Sequence, residues 1–199
     1  MQDFHGLRLD TVLQELLRCG ARSVLDLGCG GGELLLRLAR EAQFCRIVGV
    51  DISVDVLRAA RELLQAEPGA LAQRVELVEA SFAVLDARFA GFDAAALVET
   101  IEHIDAHRLS SVERAVFGSF RPATVVITTP NSEYNPIHGA LAGSFRHPDH
   151  RFEWPRAKFR AWARGVAGRN GYRAAFGDIG EPDPDLGSPT QMAVLSRAV

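Results

Sequence analysis

Five short apolar runs recur along the chain, and helical stretches fill the gaps between them. "SVLDL", "RIVGVD", "RVELVEA", "DAAALVE" and "ATVVITTP" each have the length of a strand and are bounded by glycine, proline or polar residues. An amphipathic segment from Leu9 to Leu17 precedes the first run, and a helix from Glu33 to about Ala42 follows it. Ser53 is placed to cap a helix that ends near Pro68, and "HRLSSVERAVFGSF" reads as helical. Strands alternating with helices predict an α/β fold, a mostly parallel sheet with helices on both faces. No repeat and no Pro/Gly/Ser-rich linker divides the chain, so its 199 residues, 47% of them hydrophobic, are expected to form one domain over 1–199.

Other features narrow the class. No apolar run approaches the roughly 18 residues of a membrane span, and "MQDFHGLRLD" lacks the basic and then apolar layout of a signal peptide. No membrane association and a cytoplasmic location are the expectation. Cys19, Cys29 and Cys45 are odd in number and form no CxxC, which indicates neither a disulfide framework nor a zinc site. The net charge of −3 argues against a broad nucleic-acid-binding surface, although the charge is unevenly spread.

In such sheets ligands sit at the carboxyl ends of the strands, near the point where strand order reverses. The turn "DLGCGGGE" belongs there. Gly28 and Gly30 fit a dinucleotide fingerprint, but its third glycine position is Glu33, and the acids Asp26 and Glu33 disfavour a pyrophosphate. A cationic ligand with an amino group suits the loop better. Asp51 closes the second strand, where a carboxylate can accept from both hydroxyls of a ribose, with Ile52 beside it. S-adenosylmethionine meets both demands. From Ser23 to Ser53 the chain thus resembles the cofactor-binding half of the Rossmann-like class I methyltransferases. A strand-turn-helix whose glycines serve packing alone is the competing reading.

Directly after the fourth apolar run, "LVETIEHI" gathers Glu99, Glu102 and His103. If a helical turn starts there, offsets of three and four set these side chains on one side. Two packed carboxylates call for a compensating cation, and mixed oxygen and nitrogen ligands suit Mg²⁺, Mn²⁺ or Fe²⁺ better than calcium or a closed zinc site. A solvated helix start with acids near its N-terminus fits the same residues. "FRHPDHRFEWPRAKF" adds His147 and His150 in a polar stretch between elements, from which a fourth ligand could come.

Taken together, "LVETIEHID", "TVVITTPNSEYN", "RHPDHRFEW" and the near-terminal "GSPTQMAVL" closely resemble the small-RNA 3′-end 2′-O-methyltransferases, including the methyltransferase domain of their bacterial RNA-repair members. The resemblance runs from about Leu9 to the C-terminus. It implies that Glu99, Glu102, His103 and His150 hold one divalent cation (Mn²⁺ or Mg²⁺) and act in catalysis. It implies a cation- and RNA-end-binding segment at about 131–160, with Asn131 and Arg146 inside the motifs as substrate contacts. It also implies that Asp26, Gly28, Gly30, Asp51, Ile52, Ser81 and Phe82 bind the cofactor, with Ser81 against adenine. Phe82 departs from the leucine more usual in the family.

The expected activity is metal-dependent methyl transfer from S-adenosylmethionine to the 2′-OH of the 3′-terminal nucleotide of an RNA whose 2′-OH and 3′-OH are both free. It would serve RNA repair or 3′-end protection. A ribose hydroxyl is a poor nucleophile near neutral pH, which is the physical reason for a Lewis acid. Repair members carry a further N-terminal region that engages a kinase-phosphatase-ligase partner. This chain starts almost directly at the methyltransferase part, so an isolated domain or a shorter homologue, monomeric, is expected.

Between Ser144 and Arg173, eight arginine or lysine residues face only Asp149 and Glu153, and phosphate contacts are a natural use for them. Arg156, Arg160 and Arg164 recur every four residues, as on a solvated helix face. Two other functions remain open at this level: a metal-assisted O-methyltransferase of catechol-like small molecules, and a non-catalytic module that binds RNA ends.

Overall fold

The computed structural model describes residues 4–67, 71–138 and 144–198. Helix α1 (Phe4–Arg18) leads through strand β1 (Ser23–Leu27) to α2 (Glu33–Arg40), β2 (Arg46–Asp51), α3 (Val54–Ala66), β3 (Val75–Glu79) and β4 (Ala94–Val98). A run of tight turns and a short α4 (Leu109–Glu113) then reach β5 (Thr124–Pro130), and α5 (Arg156–Asn170), β6 (Tyr172–Ile179) and β7 (Thr190–Arg197) complete the order. The five strands expected from the apolar runs are β1 to β5. Ser53 caps α3 as its position suggests, its Oγ accepting from the Val56 N–H at 3.4 Å.

Two regions differ from the sequence expectation. The helical stretch before β5 changes winding: a 3₁₀ turn at Ala106–Arg108, then α4, then a π-helix over Arg114–Phe120 that ends on Arg121 at φ 50°. Ala115, Val116, Phe117 and Phe120 are all buried, a set too broad for one 3.6-residue stripe, and the wider winding carries it inward. Beyond β5, the strands β6 and β7 were not among the apolar runs. β6 reads "YRAAFGDI", with a broken inside-outside pattern, because it is an edge strand.

The seven strands lie in the order β3-β2-β1-β4-β5-β7-β6. β1 to β5 are mutually parallel, and β7 runs antiparallel to both β5 and β6. Strand order reverses between β1 and β4, so the cleft between their carboxyl ends is the ligand position of such sheets. Side chains alternate across the sheet. Val24, Ile47, Ala94, Ala96 and Val126 face a core shared with α1, α2 and α3; Leu25, Val48, Ala95, Leu97, Val125 and Ile127 face one shared with the π-helix and α5. Both faces are covered, which is why the central strands are apolar throughout. No helix among the described residues is long and apolar enough to cross a membrane.

Candidate active site

The first half of the site is the turn after β1. Gly28, Gly30 and Gly32 take φ of 82°, 53° and 88°, in the left-handed region that glycine occupies at little cost. A Cβ on Gly28 would stand 2.5 Å from Thr100 Cγ2, so this loop packs directly against the turn that follows β4. The Gly30 N–H donates to Asp51 Oδ2 at 3.2 Å and the Ser53 N–H to Asp51 Oδ1 at 3.0 Å, which fixes the carboxylate while each oxygen keeps a lone pair. Asp26 is 2% exposed and its Oδ2 has no hydrogen-bond partner. Burial, with Asp51 and Glu33 nearby, pushes its pKa up to about 7. Ile52 stands beside the loop with 73% of its surface exposed. Ser81 and Phe82 follow β3, and the Ala80 N–H donates to Asp51 O at 3.0 Å, so both lie next to the second strand's end.

This half fits S-adenosylmethionine. A buried carboxylate with an orphaned oxygen suits the donor's ammonium group, and the pinned Asp51 suits vicinal ribose hydroxyls.

The second half is built after β4. Ile101–His103 forms a 3₁₀ turn, and Glu102, His103 and His150 bring one ligand atom each within 4.8 Å of one another. His150 comes from far along the chain. Its segment is tied to the turn by the Arg151 N–H, which donates to Glu102 O at 2.7 Å. Glu153 Oε1 lies 2.5 Å from His150 Nδ1. The carboxylate accepts, so Nδ1 carries the proton and Nε2 is left as the ligand atom. The rings of His103 and His150 have centroids 4.9 Å apart, and His147 stands 6.0 Å from His103.

Glu102 is wholly buried. Thr129 Oγ1 donates to its Oε2 at 3.0 Å, while its Oε1 has no partner. Desolvation and the neighbouring Glu99 raise its pKa well above the usual carboxylate range. Desolvation, with His150 beside it, lowers the pKa of His103, which favours the neutral, ligating imidazole. A carboxylate with one buried, unpartnered oxygen and two imidazoles in reach of one point fit a divalent cation that accepts mixed oxygen and nitrogen ligands.

Glu99 does not join this group. The expectation that one helical turn sets Glu99, Glu102 and His103 on a common side is corrected by the backbone: Glu99 takes φ 49°, and the turn begins only after it. Its N–H donates to Thr128 Oγ1 at 3.1 Å, its Oε1 accepts from Thr128 Oγ1 at 3.0 Å, and its Oε2 pairs with Arg8 at 3.3 Å.

Asn131 and Arg146 are committed to the protein. Asn131 is fully buried, donating to the carbonyls of Leu186 and Ser188 at 2.8 and 2.9 Å and accepting from the Glu133 N–H at 3.0 Å. Its amide therefore presents no free group at the surface. Arg146 is partly buried and donates to Asn135 Oδ1 at 2.5 Å, to Pro189 O at 2.9 Å and to Asn131 O. The expected end-binding segment is thus a braced wall of the site; its residues 139–143 lie outside the described residues. In the basic stretch, Arg156 pairs with Glu133, Arg160 with Asp178 and Arg169 with Glu113, while Arg164 lies over the Phe176 ring.

Glu153, Thr129, Arg8 and Gln191 contribute without having been singled out in the sequence. Glu153 had a signal, since it lies three residues after His150 in the same motif. Gln191 donates to Pro130 O at 3.0 Å and to Trp154 O at 2.8 Å, joining β7 to the wall. Arg8 gives no hint in sequence, because only the fold brings α1 beside β4.

A methyltransferase-domain family profile matches residues 24–123. Fold, glycine turn and profile define the class as a Rossmann-like methyltransferase domain. The small RNA 2′-O-methyltransferase of Xenopus tropicalis is 36% identical over 185 residues, covering 88% of this chain and 50% of that protein. The crystal structure of the methyltransferase domain of bacterial CtHen1 matches with a TM-score of 0.89 at 42% identity, covering 99% of this chain and all of that one. That of the small RNA methyltransferase HEN1 gives 0.89 at 30% identity over 98% of this chain and 26% of the other. The chain belongs to the small RNA 2′-O-methyltransferase family. It spans about half the length of the curated vertebrate relatives it matches.

Proposed function

We propose that the protein transfers a methyl group from S-adenosylmethionine to the 2′-OH of the 3′-terminal nucleotide of RNA, with one divalent cation, Mn²⁺ or Mg²⁺, held by Glu102, His103 and His150; Glu99, the fourth ligand that the family resemblance implies, would have to leave Arg8 to reach it. The observation that carries this reading is the convergence of Glu102, His103 and His150 around an orphaned buried carboxylate oxygen, next to the glycine loop. The family supplies the substrate class: the relatives are small RNA 2′-O-methyltransferases. A place in RNA repair or 3′-end protection, alongside a kinase-phosphatase-ligase, follows from the same resemblance.

The chain's own residues do the work of alignment. Asp51, fixed by two backbone amides, receives the ribose of the methyl donor, and Asp26 the ammonium group. When bound, the donor supplies an electrophilic methyl on a sulfonium. The cation, when bound, supplies Lewis acidity and a template for two adjacent hydroxyls. Glu153 holds His150 in one tautomer, and Thr129 holds Glu102 in one orientation, so these two ligands are oriented before a cation would arrive. Thr100 packs the acidic turn against Gly28, so the two halves of the site share one wall.

The test offers labelled methyl from S-adenosylmethionine to a short RNA with a free 3′-terminal diol, to the same RNA ending in 2′-deoxy, and to catechol. Label on the diol RNA alone is expected. Label on catechol and none on RNA would transfer the reading to a small-molecule O-methyltransferase.

A further inference from the structure

Glu99 and Glu102 lie three residues apart at the same strand end, yet among the described residues only Glu99 is in an ion pair. Arg8, reaching from α1, places Nη2 3.3 Å from Glu99 Oε2 and donates from the same nitrogen to Thr190 Oγ1 at 3.2 Å. Its Nε also donates to Thr190, at 3.4 Å, so the guanidinium is anchored to β7 as well as to the carboxylate. Both partners of the ion pair are mostly covered, with side chains 17% and 18% exposed. Such a pair is screened less than one at the surface. Glu102 Oε1, by contrast, has no partner, and the three ligand atoms that already converge exclude Glu99.

We infer that Arg8 is a positioning residue for the cation centre: it neutralises Glu99 in the metal-free protein and, by holding Oε2, competes with the metal for that carboxylate. The inference rests on the cation reading above. Two consequences of the geometry have the same sign. Loss of Arg8 frees Glu99 to turn toward Glu102, His103 and His150, and it also removes a positive charge from the neighbourhood of a divalent cation. Arg8 thus sets metal affinity below what the four side chains could reach, and α1 is coupled to the site.

The experiment measures Mn²⁺ affinity by the electron paramagnetic resonance of free Mn²⁺, with no RNA present. It uses the wild type, Arg8→Met, Glu99→Gln and the double variant, each checked for fold by circular dichroism. Methionine keeps the apolar stem of the side chain; Arg8→Gln is the second choice should that variant fail to fold. Arg8→Met should bind Mn²⁺ about three- to tenfold more tightly, the size expected of one partly screened charge contact. In the Glu99→Gln background the gain should fall below about twofold, because the carboxylate that Arg8 restrains is gone. Unchanged or weaker binding in Arg8→Met, or an equal gain in both backgrounds, would overturn the inference while leaving the cation reading intact. A folded wild type that binds no Mn²⁺ would overturn both.

Discussion

The two ends of the site solve one physical problem differently. At the glycine loop, Asp51 is satisfied by the amides of Ser53, two residues on, and of Gly30, 21 residues back within one strand-helix-strand unit, whereas at the end of β4 the carboxylates depend on groups from three further elements, α1, β5 and the segment before α5. Both ends keep one buried oxygen unpaired, on Asp26 and on Glu102. A buried unpaired carboxylate oxygen costs on the order of 1–3 kcal/mol. The first end is therefore built within one strand-helix-strand unit and suits a ligand with donor groups, and the second is assembled from several separate elements and leaves the oxygen that the proposed cation would meet. Loss of a residue should separate the two: one end governs methyl-donor affinity, the other the chemical step.

The largest effect is expected at the assembled end. Glu102→Ala and His150→Ala should each lower single-turnover methylation by about a hundredfold or more, with S-adenosylmethionine affinity by calorimetry changed less than about twofold. Glu102→Gln should also unfold at a temperature no lower than the metal-free wild type, because it removes a carboxylate whose charge is unfavourable there. A parallel fall in donor affinity would erase the distinction between the two ends. At the local end, Asp51→Ala should weaken S-adenosylmethionine binding by about 1–3 kcal/mol while Mn²⁺ affinity stays constant. Unchanged donor affinity in a folded variant would take Asp51 out of the site.

The pH response sharpens the contrast further. Asp26 has its pKa raised from 3.8 to about 7 by burial, so the native state holds a proton that the unfolded state releases. Stability from this group is present below the unfolded value and is lost as pH rises toward 7. Asp26→Asn should therefore flatten the decline of denaturation midpoint between about pH 4 and 7, and add on the order of 1–3 kcal/mol at pH 7 in the ligand-free protein. An unaltered slope would show that Asp26 ionises freely. Arg146→Ala has the smallest expected effect, a rise of a fewfold in KM for RNA as the wall it braces loosens, with the salt dependence unchanged. A modest drop in melting temperature should accompany it, since the carbonyls of Asn131 and Pro189 lose their donor. S-adenosylmethionine affinity checks that the fold survives.

How much of this could be read from sequence depends on the same division. β1 to β5 and the Ser53 cap rest on short-range patterns, and the glycine turn meets Asp51 at the fixed offset of a strand-helix-strand unit, so all were legible. β6 and β7 were not, because an edge strand with broken alternation and a strand whose partners follow from a chain reversal carry weak local periodicity. Within the site, Glu102, His103 and His150 converge as the motifs suggest. The place of Glu99 was not legible: its left-handed backbone and its pairing with Arg8 depend on how α1 packs, a contact between residues with no shared periodicity. Asn131 likewise lies in a recognisable motif, but its burial is set by the loop before β7.

The central claim is that the residues after β4 hold a cation that engages both hydroxyls of an RNA end. The most direct measurement is single-turnover methylation of two RNAs differing only at the terminus, one with a 2′,3′-diol and one with a 3′-phosphate, before and after chelation and after return of Mn²⁺ or Mg²⁺. The account predicts methylation of the diol end alone, lost with the metal and restored by it. Full activity after metal removal, or equal methylation of the blocked end, would contradict it.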